Sequence, residues 1–143
     1  MPEALKEAKQ AILDGEIPVG ALIIDQSNDI LAKDHNRCIS LNDPTAHAEI
    51  LVIRQAAKRI GNYRLNGMAI VVTIEPCPMC MGAIMNARLD MLFFGAFDTK
   101  QGAAGSAYNL LDNGKNNRRL KVISGIMEKE CRELMQDFFR ERR

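Results

Sequence analysis

The chain has 143 residues, 47% of them hydrophobic, 26% charged and 5% aromatic, the balance of one compact soluble domain that buries a core without disulfide staples. Ten glycines and five prolines exclude collagen-like, repetitive and disordered chains. The formal net charge of +1 points to no nucleic-acid partner, whereas four cysteines and only two histidines leave a short supply for any metal or acid–base site.

Helix and strand patterns alternate along the chain. Leu5, Ala8, Ala11 and Ile12 recur at helical spacing over residues 2–14, and Gly15 closes that segment. Residues 18–24 read as a strand, Asp25 to Asp29 as a turn, and residues 30–35 as a second strand. Asp43-Pro44-Thr45 supplies cap chemistry for a helix running to about Ile60, with Ile50, Ile53, Ala57 and Ile60 on its inner face. Met68 to Ile74 is a continuous apolar run, as a central strand requires. Pro76 to about Ala87 begins as a turn and continues as a short helix, and Met91 to Phe97 is another buried strand. Residues 98–106 form a small-residue loop. Leu120 to Ile126 reads as a last strand and residues 127–142 as a last helix, with Met127, Cys131, Leu134 and Phe138 inward. The sum is a layered α/β domain over residues 1–143, with about five strands and some parallel pairing.

The apolar runs fall far short of the roughly 20 residues that span a bilayer, and the charged N-terminus lacks an apolar signal region. A cytoplasmic protein with no membrane partner is expected. Thiols stay reduced in that compartment, so Cys77 and Cys80 are metal ligands or catalysts rather than a structural disulfide. Cys38 and Cys131 stand alone and read as small buried hydrophobes, and Met79, Met81 and Met85 as core or interface filler.

The chemistry concentrates in two short segments, His47-Ala48-Glu49 and Glu75-Pro76-Cys77-Pro78-Met79-Cys80. Cys77 and Cys80 are three residues apart, so at a helix start both sulfurs can face one side. Zinc accepts thiolate and imidazole, and three protein ligands leave its fourth position to water. His47 is the natural third ligand; His35 lies near a strand end without an adjacent acid. Zinc with two thiolates and a neutral imidazole carries no net charge and acidifies water less than a tris-histidine centre does. A nearby base must then complete the deprotonation. Glu49 is two residues from His47, roughly 200° around an ideal helix, so it is placed beside the water rather than on the metal. That arrangement suits hydrolytic removal of an amino group. A structural zinc site with Cys38, Cys131 or His35 as fourth ligand, or a dithiol redox site, uses the same Cys-X-X-Cys spacing.

At these residues the chain resembles the zinc-dependent cytidine and deoxycytidylate deaminase superfamily, whose signature is His-X-Glu followed by Pro-Cys-X-X-Cys. Further blocks resemble the bacterial tRNA adenosine deaminase family within it: Glu16-Ile17-Pro18-Val19-Gly20, His35-Asn36-Arg37, residues 43–50 around His47, and Asn62-Tyr63-Arg64-Leu65. So do Phe94-Gly95-Ala96, the loop Gly102-Ala103-Ala104-Gly105-Ser106 and the ending Asp137-Phe138-Phe139-Arg140. The resemblance covers nearly the whole chain. It implies a three-layer α-β-α cytidine deaminase-like fold around a mixed five-stranded sheet. It also implies a homodimer, one Zn2+ per subunit, and conversion of adenosine to inosine at the wobble position of a tRNA anticodon stem-loop. His47, Cys77 and Cys80 would hold zinc, and Glu49 would shuttle protons. Asn36 would bind the extruded base, with the Ala48 backbone and the Glu16–Ile17 turn lining the pocket, while Asp98, Lys100, Phe139 and Arg140 would touch flanking nucleotides. Small-molecule deaminases acting on guanine, cytosine, cytidine or a deoxynucleotide share the zinc centre, and a non-catalytic zinc module would share the ligands. Asp98 equally suits the cap of a turn.

Charge is unevenly spread. From Asn113 onward nine Lys and Arg face five acids, a local net charge of +4. Such a stretch is a solvated helix face by default, and is also compatible with a basic rim for phosphates.

Overall fold

A computed structural model describes residues 1–111 and 120–142, and four helices and five strands follow one another in the described chain. They are α1 (Pro2–Leu13), β1 (Gly20–Ile24), β2 (Ile30–His35), α2 (Ala48–Ile60) and β3 (Ala69–Ile74). α3 (Pro78–Asn86), β4 (Met91–Ala96), β5 (Lys121–Ile123) and α4 (Glu128–Glu141) complete the set. Helix starts carry the expected chemistry: Pro2 and Pro78 occupy first-turn positions that need no amide donor, and Glu3, Glu49, Glu128 and Glu130 meet the positive helix ends.

The strands form one mixed sheet in the order β2-β1-β3-β4-β5. β1 runs antiparallel to both β2 and β3, whereas β3, β4 and β5 are mutually parallel. α1 packs on β1, β2 and β3 and touches α4, which covers β3 and β4; α2 covers β1, β2 and β3 and touches α3. The sheet therefore lies between two helical layers. Its central strands sort their side chains with a period of two. Ala21, Ile23, Ile70, Val72, Leu92 and Phe94 enter the large core that also holds Ala48, Val52, Met81 and Ile84, while Leu22 and Val71 turn to the other face beside Ala4.

α1 sits unusually close to β1. Ala4, Ala8 and Ala11 are fully buried, and a Cβ on Gly20 would run into the Ala4 carbonyl and lie 2.6 Å from the Ala8 nitrogen. The buried His35 fastens the same helix, Nδ1 facing Glu7 Oε2 at 3.0 Å and Nε2 facing Asp14 Oδ2 at 2.8 Å, just past its end.

Four expectations about these elements need correction. Asp43 does not cap α2: its Oδ1 accepts from the amide and hydroxyl of Thr45, making a local turn, and the helix starts at Ala48. Of the expected inner face of α2, Ile50 is buried and Ile53 and Ala57 pack partly against the core, but Ile60 does not. Residues 48–52 are buried without interruption, followed by Ala56, while Ile60 is exposed. The first turns of α2 are wedged between the sheet and α3, so every face is covered there. In α4, Cys131 and Phe138 are buried and Leu134 packs partly, but Met127 is exposed. The last strand is also shorter than expected. Lys115, Arg118, Arg119 and Arg143 of the basic stretch lie outside the described residues.

Candidate active site

Because β2 and β3 are parallel to β4, and Gly20 at the start of β1 pairs with His35 at the end of β2, four chain segments meet at one end of the sheet. They are the α1–β1 connection, the loop after β2, the turn after β3 and the loop after β4. Sites in α/β sheets form at such carboxyl ends of parallel strands.

Two helix starts converge there. His47 is the N-cap of α2 and Cys77 the N-cap of α3, both with extended backbone. His47 Nδ1 lies 3.7 Å from Cys77 Sγ and 3.5 Å from Cys80 Sγ, and the three ligand atoms fall within 4.8 Å of one another. Among the described residues no fourth His, Cys, Asp or Glu joins this group; His35 belongs to a separate cluster with Glu7 and Asp34. The fourth ligand that a structural zinc site would need is therefore missing from Cys38, Cys131 and His35 alike.

The two thiols and the imidazole of the triad are coupled through hydrogen bonds. Hydrogen bonding from Cys80, then from His47, pulls the Cys77 thiol down to about 4 against the opposing effect of burial. Cys80 is pushed well up because it donates to Cys77 and is buried. The hydrogen bond to Cys77 raises His47. Two sulfurs and an imidazole suit a borderline cation such as zinc.

Glu49, in the first turn of α2, is 4% exposed, and desolvation holds its carboxyl above the ordinary range. It neighbours His47, Cys77 and Cys80 without being one of the clustered donors. Its Oε2 is buried with no hydrogen-bond partner. A buried carboxylate oxygen left unpartnered beside a metal-type triad is a demand for a proton donor. The residues present fit the metal.

The remaining expected residues fall in distinct places. Asn36, 7% exposed, follows β2, and its Oδ1 accepts the Ala48 amide at 2.8 Å. It caps α2 from outside the helix, since His47 makes no side-chain cap. Glu16 is 2% exposed, and its carboxylate accepts the amides of Ile39 and Ser40 at 3.2 and 2.7 Å. It thus clasps the loop that carries Asn36, while Ile17 beside it is exposed. Asp98 Oδ1 accepts the amides of Lys100 and Gln101 and caps the turn after β4; Lys100 is exposed. Phe139 is exposed and Arg140 pairs with Asp137 at 3.0 Å, both near the end of α4 in the layer opposite α2 and α3. Cys131 is buried as expected, whereas Cys38 is only half-buried. Of the methionines, Met81 is fully buried but Met79 is exposed.

Sequence reasoning assigned no role to Glu75, which is 3% exposed and hydrogen-bonded to Ser106. Its place just before Pro76-Cys77 was the available signal.

A helical layer that presents His-X-Glu and Pro-Cys-X-X-Cys at two helix starts, over a mixed five-stranded sheet, defines a hydrolytic deaminase. All 143 residues match the model of the MafB19-like deaminases, and the chain belongs to that family. Among its relatives, the tRNA-specific adenosine deaminase of Bacillus subtilis is 45% identical over 143 residues, 100% of this chain and 88% of that one. A solved structure from work on A-to-I editing by tRNA:A34 deaminases superposes with TM-score 0.90 at 41% identity, covering 94% of this chain and 96% of the other. A guanine deaminase structure from Bacillus subtilis gives TM-score 0.66 at 32% identity, covering 98% and 90%. The cytidine deaminase-like fold expected from the resemblance is thereby established.

Proposed function

We propose that the protein is a zinc-dependent deaminase that converts adenosine to inosine at the wobble position of a tRNA anticodon, with release of ammonia. The observation that carries this reading is Glu49, buried beside His47, Cys77 and Cys80 with Oε2 unpartnered. Both identity and superposition favour the tRNA enzymes over the guanine deaminase.

His47, Cys77 and Cys80 would hold one zinc per subunit. When bound, zinc supplies the Lewis acidity that lets a water lose its proton near neutral pH. Glu49 takes that proton as the water oxygen bonds to C6 of the purine, and returns it as the C6–N bond breaks and ammonia leaves. A carboxyl raised by burial is matched to both halves of the transfer. The Asn36 NH2 donates to the edge of the base, which must leave its stack to reach the buried Glu49. The Ala48 backbone and the Glu16–Ile17 turn line the pocket, and Asp98, Lys100, Phe139 and Arg140 meet flanking nucleotides. The working form is a cytoplasmic homodimer; exposed apolar side chains such as Met79 and Phe97 offer surface for a second copy.

The test is incubation of purified protein with an anticodon stem-loop carrying adenosine at the wobble position. Inosine and ammonia are expected in equal amounts. Absence of inosine, with ammonia released from guanine, cytosine or cytidine instead, would overturn the RNA reading while leaving the deaminase chemistry standing.

A further inference from the structure

Glu75 takes no part in holding the cation or moving the proton, yet it is a nearly fully buried carboxylate one residue from the metal-ligand turn. Burial of such a group is unfavourable unless it is hydrogen-bonded. Ser106 meets that need: its hydroxyl donates to Glu75 Oε1 at 2.6 Å and its amide to Oε2 at 3.4 Å. Gly102 lies flat against the same carboxylate, where a Cβ would overlap Glu75 Oε2 and the Asp98 carbonyl. The Ala103 amide donates to the Pro76 carbonyl at 2.8 Å. Residues 75–76 and 102–106 are thus joined by side-chain hydrogen bonds, by a backbone hydrogen bond and by close packing.

The loop so attached is tied together by its own hydrogen bonds. The Gly102 amide donates to the Asp98 carbonyl at 2.8 Å, the Tyr108 amide to Gly102 at 2.9 Å, and the Leu110 amide to Ala103 at 3.2 Å. Asp98 Oδ1 closes the turn over Lys100 and Gln101. A shift at Gly102–Ser106 is therefore carried to Asp98 and Lys100.

We propose that Glu75 is a positioning residue of the deamination site: it fastens the 98–110 loop to the turn that presents Cys77, and so sets where that loop meets RNA. The proposal rests on the tRNA reading above, in which the loop touches nucleotides flanking the target base. A device that pre-sets a contact surface acts on binding more than on the chemical step, since a loop left free to wander must be ordered each time substrate arrives.

Ser106 is itself exposed, so shortening it opens no cavity, and Ser106→Ala reads the link alone. Glu75→Gln keeps one acceptor but turns an NH2 toward the Ser106 amide, and Ser106→Thr keeps the hydroxyl. Initial rates on the wobble-adenosine stem-loop, bound zinc per chain and melting midpoint are measured for these three variants and for the Glu75→Gln/Ser106→Ala pair. Ser106→Ala and Glu75→Gln are each expected to raise KM about tenfold, with kcat changed less than about threefold and one zinc per chain retained. Ser106→Thr should restore the KM, and the pair should be no worse than the more severe single variant. A KM unchanged in both single variants overturns the proposal. So does a loss that tracks zinc content or melting midpoint with no change in KM, for Glu75 would then only support the metal turn or the fold. A wild-type protein inactive on the stem-loop refutes the tRNA reading and this role with it; an active wild type with unaffected variants refutes the role alone.

Discussion

Asn36 is asked to do two things at once, and two substitutions separate them. Its Oδ1 accepts the Ala48 amide at 2.8 Å, and Ala48 is fully buried, so water cannot replace the acceptor. Asn36→Ala removes an N-cap and leaves a buried donor unsatisfied, a loss of about 2 kcal/mol. At about 3 °C per kcal/mol for a chain of this size, the melting midpoint should fall by about 6 °C. Asn36→Asp keeps the acceptor, and its negative charge faces the positive end of α2, so it should lose less than half as much. On substrate the order changes. Both variants lack the NH2 donor to the base, and loss of one well-placed hydrogen bond of about 2 kcal/mol lowers kcat/KM about 30-fold. Thermal melts and stem-loop kinetics on the metal-loaded proteins check both halves. An Asn36→Ala protein as stable as wild type would refute the capping role. An Asn36→Asp protein with wild-type kcat/KM would refute the contact to the base.

Further consequences follow from the packing and the thiols. Gly20→Ala would force α1 away from β1, because the added Cβ meets backbone at Ala4 and Ala8 rather than a flexible side-chain end; a loss of about 3 kcal/mol is expected in urea melts, and a loss below about 1 kcal/mol would contradict the close approach. Chelation should abolish deamination, and added zinc should restore it. In the chelated protein Cys77, pulled down to about 4, is a thiolate at neutral pH, while Cys131 is pushed up to about 11. Cys77 should therefore be alkylated first, its rate falling only as the medium is acidified toward pH 4, and reloading with zinc should protect it. Peptide mapping after timed iodoacetamide treatment reads the order, and prior modification of Cys131 would contradict it.

How much of this was legible beforehand depends on the range of the interaction. The proline-led start of α3 at Cys77 could be read locally, whereas α2 was expected to start at Asp43-Pro44-Thr45 and begins at Ala48. The strands were legible where apolar runs were continuous, as at Ile70–Val72, and the strand order was not, because pairing partners leave no local mark. The inner face of α2 was legible at Ile50, Ile53 and Ala57 but drawn too narrowly at its start, since a single stripe assumes one buried side and residues 48–52 are all buried. Acids were the hardest to assign. Asp43 looked like a helix cap and makes a turn, while the partners of Glu16 and Glu75 lie far from them in sequence. Each becomes intelligible only when the amides of Ile39 and Ser40, or Ser106, arrive from more than twenty residues away.

The bulk charge of +1 no longer weighs against RNA, since an enclosed pocket can select an extruded base without a strongly basic surface. What the account stands on is Glu49. Glu49→Ala, purified and assayed on the wobble-adenosine stem-loop with zinc measured on the same sample, tests it most directly. About one zinc per chain should remain on His47, Cys77 and Cys80, while inosine formation drops by several orders of magnitude. A variant that loses its zinc, or one that retains wild-type turnover, would contradict the assignment of Glu49 as the proton shuttle.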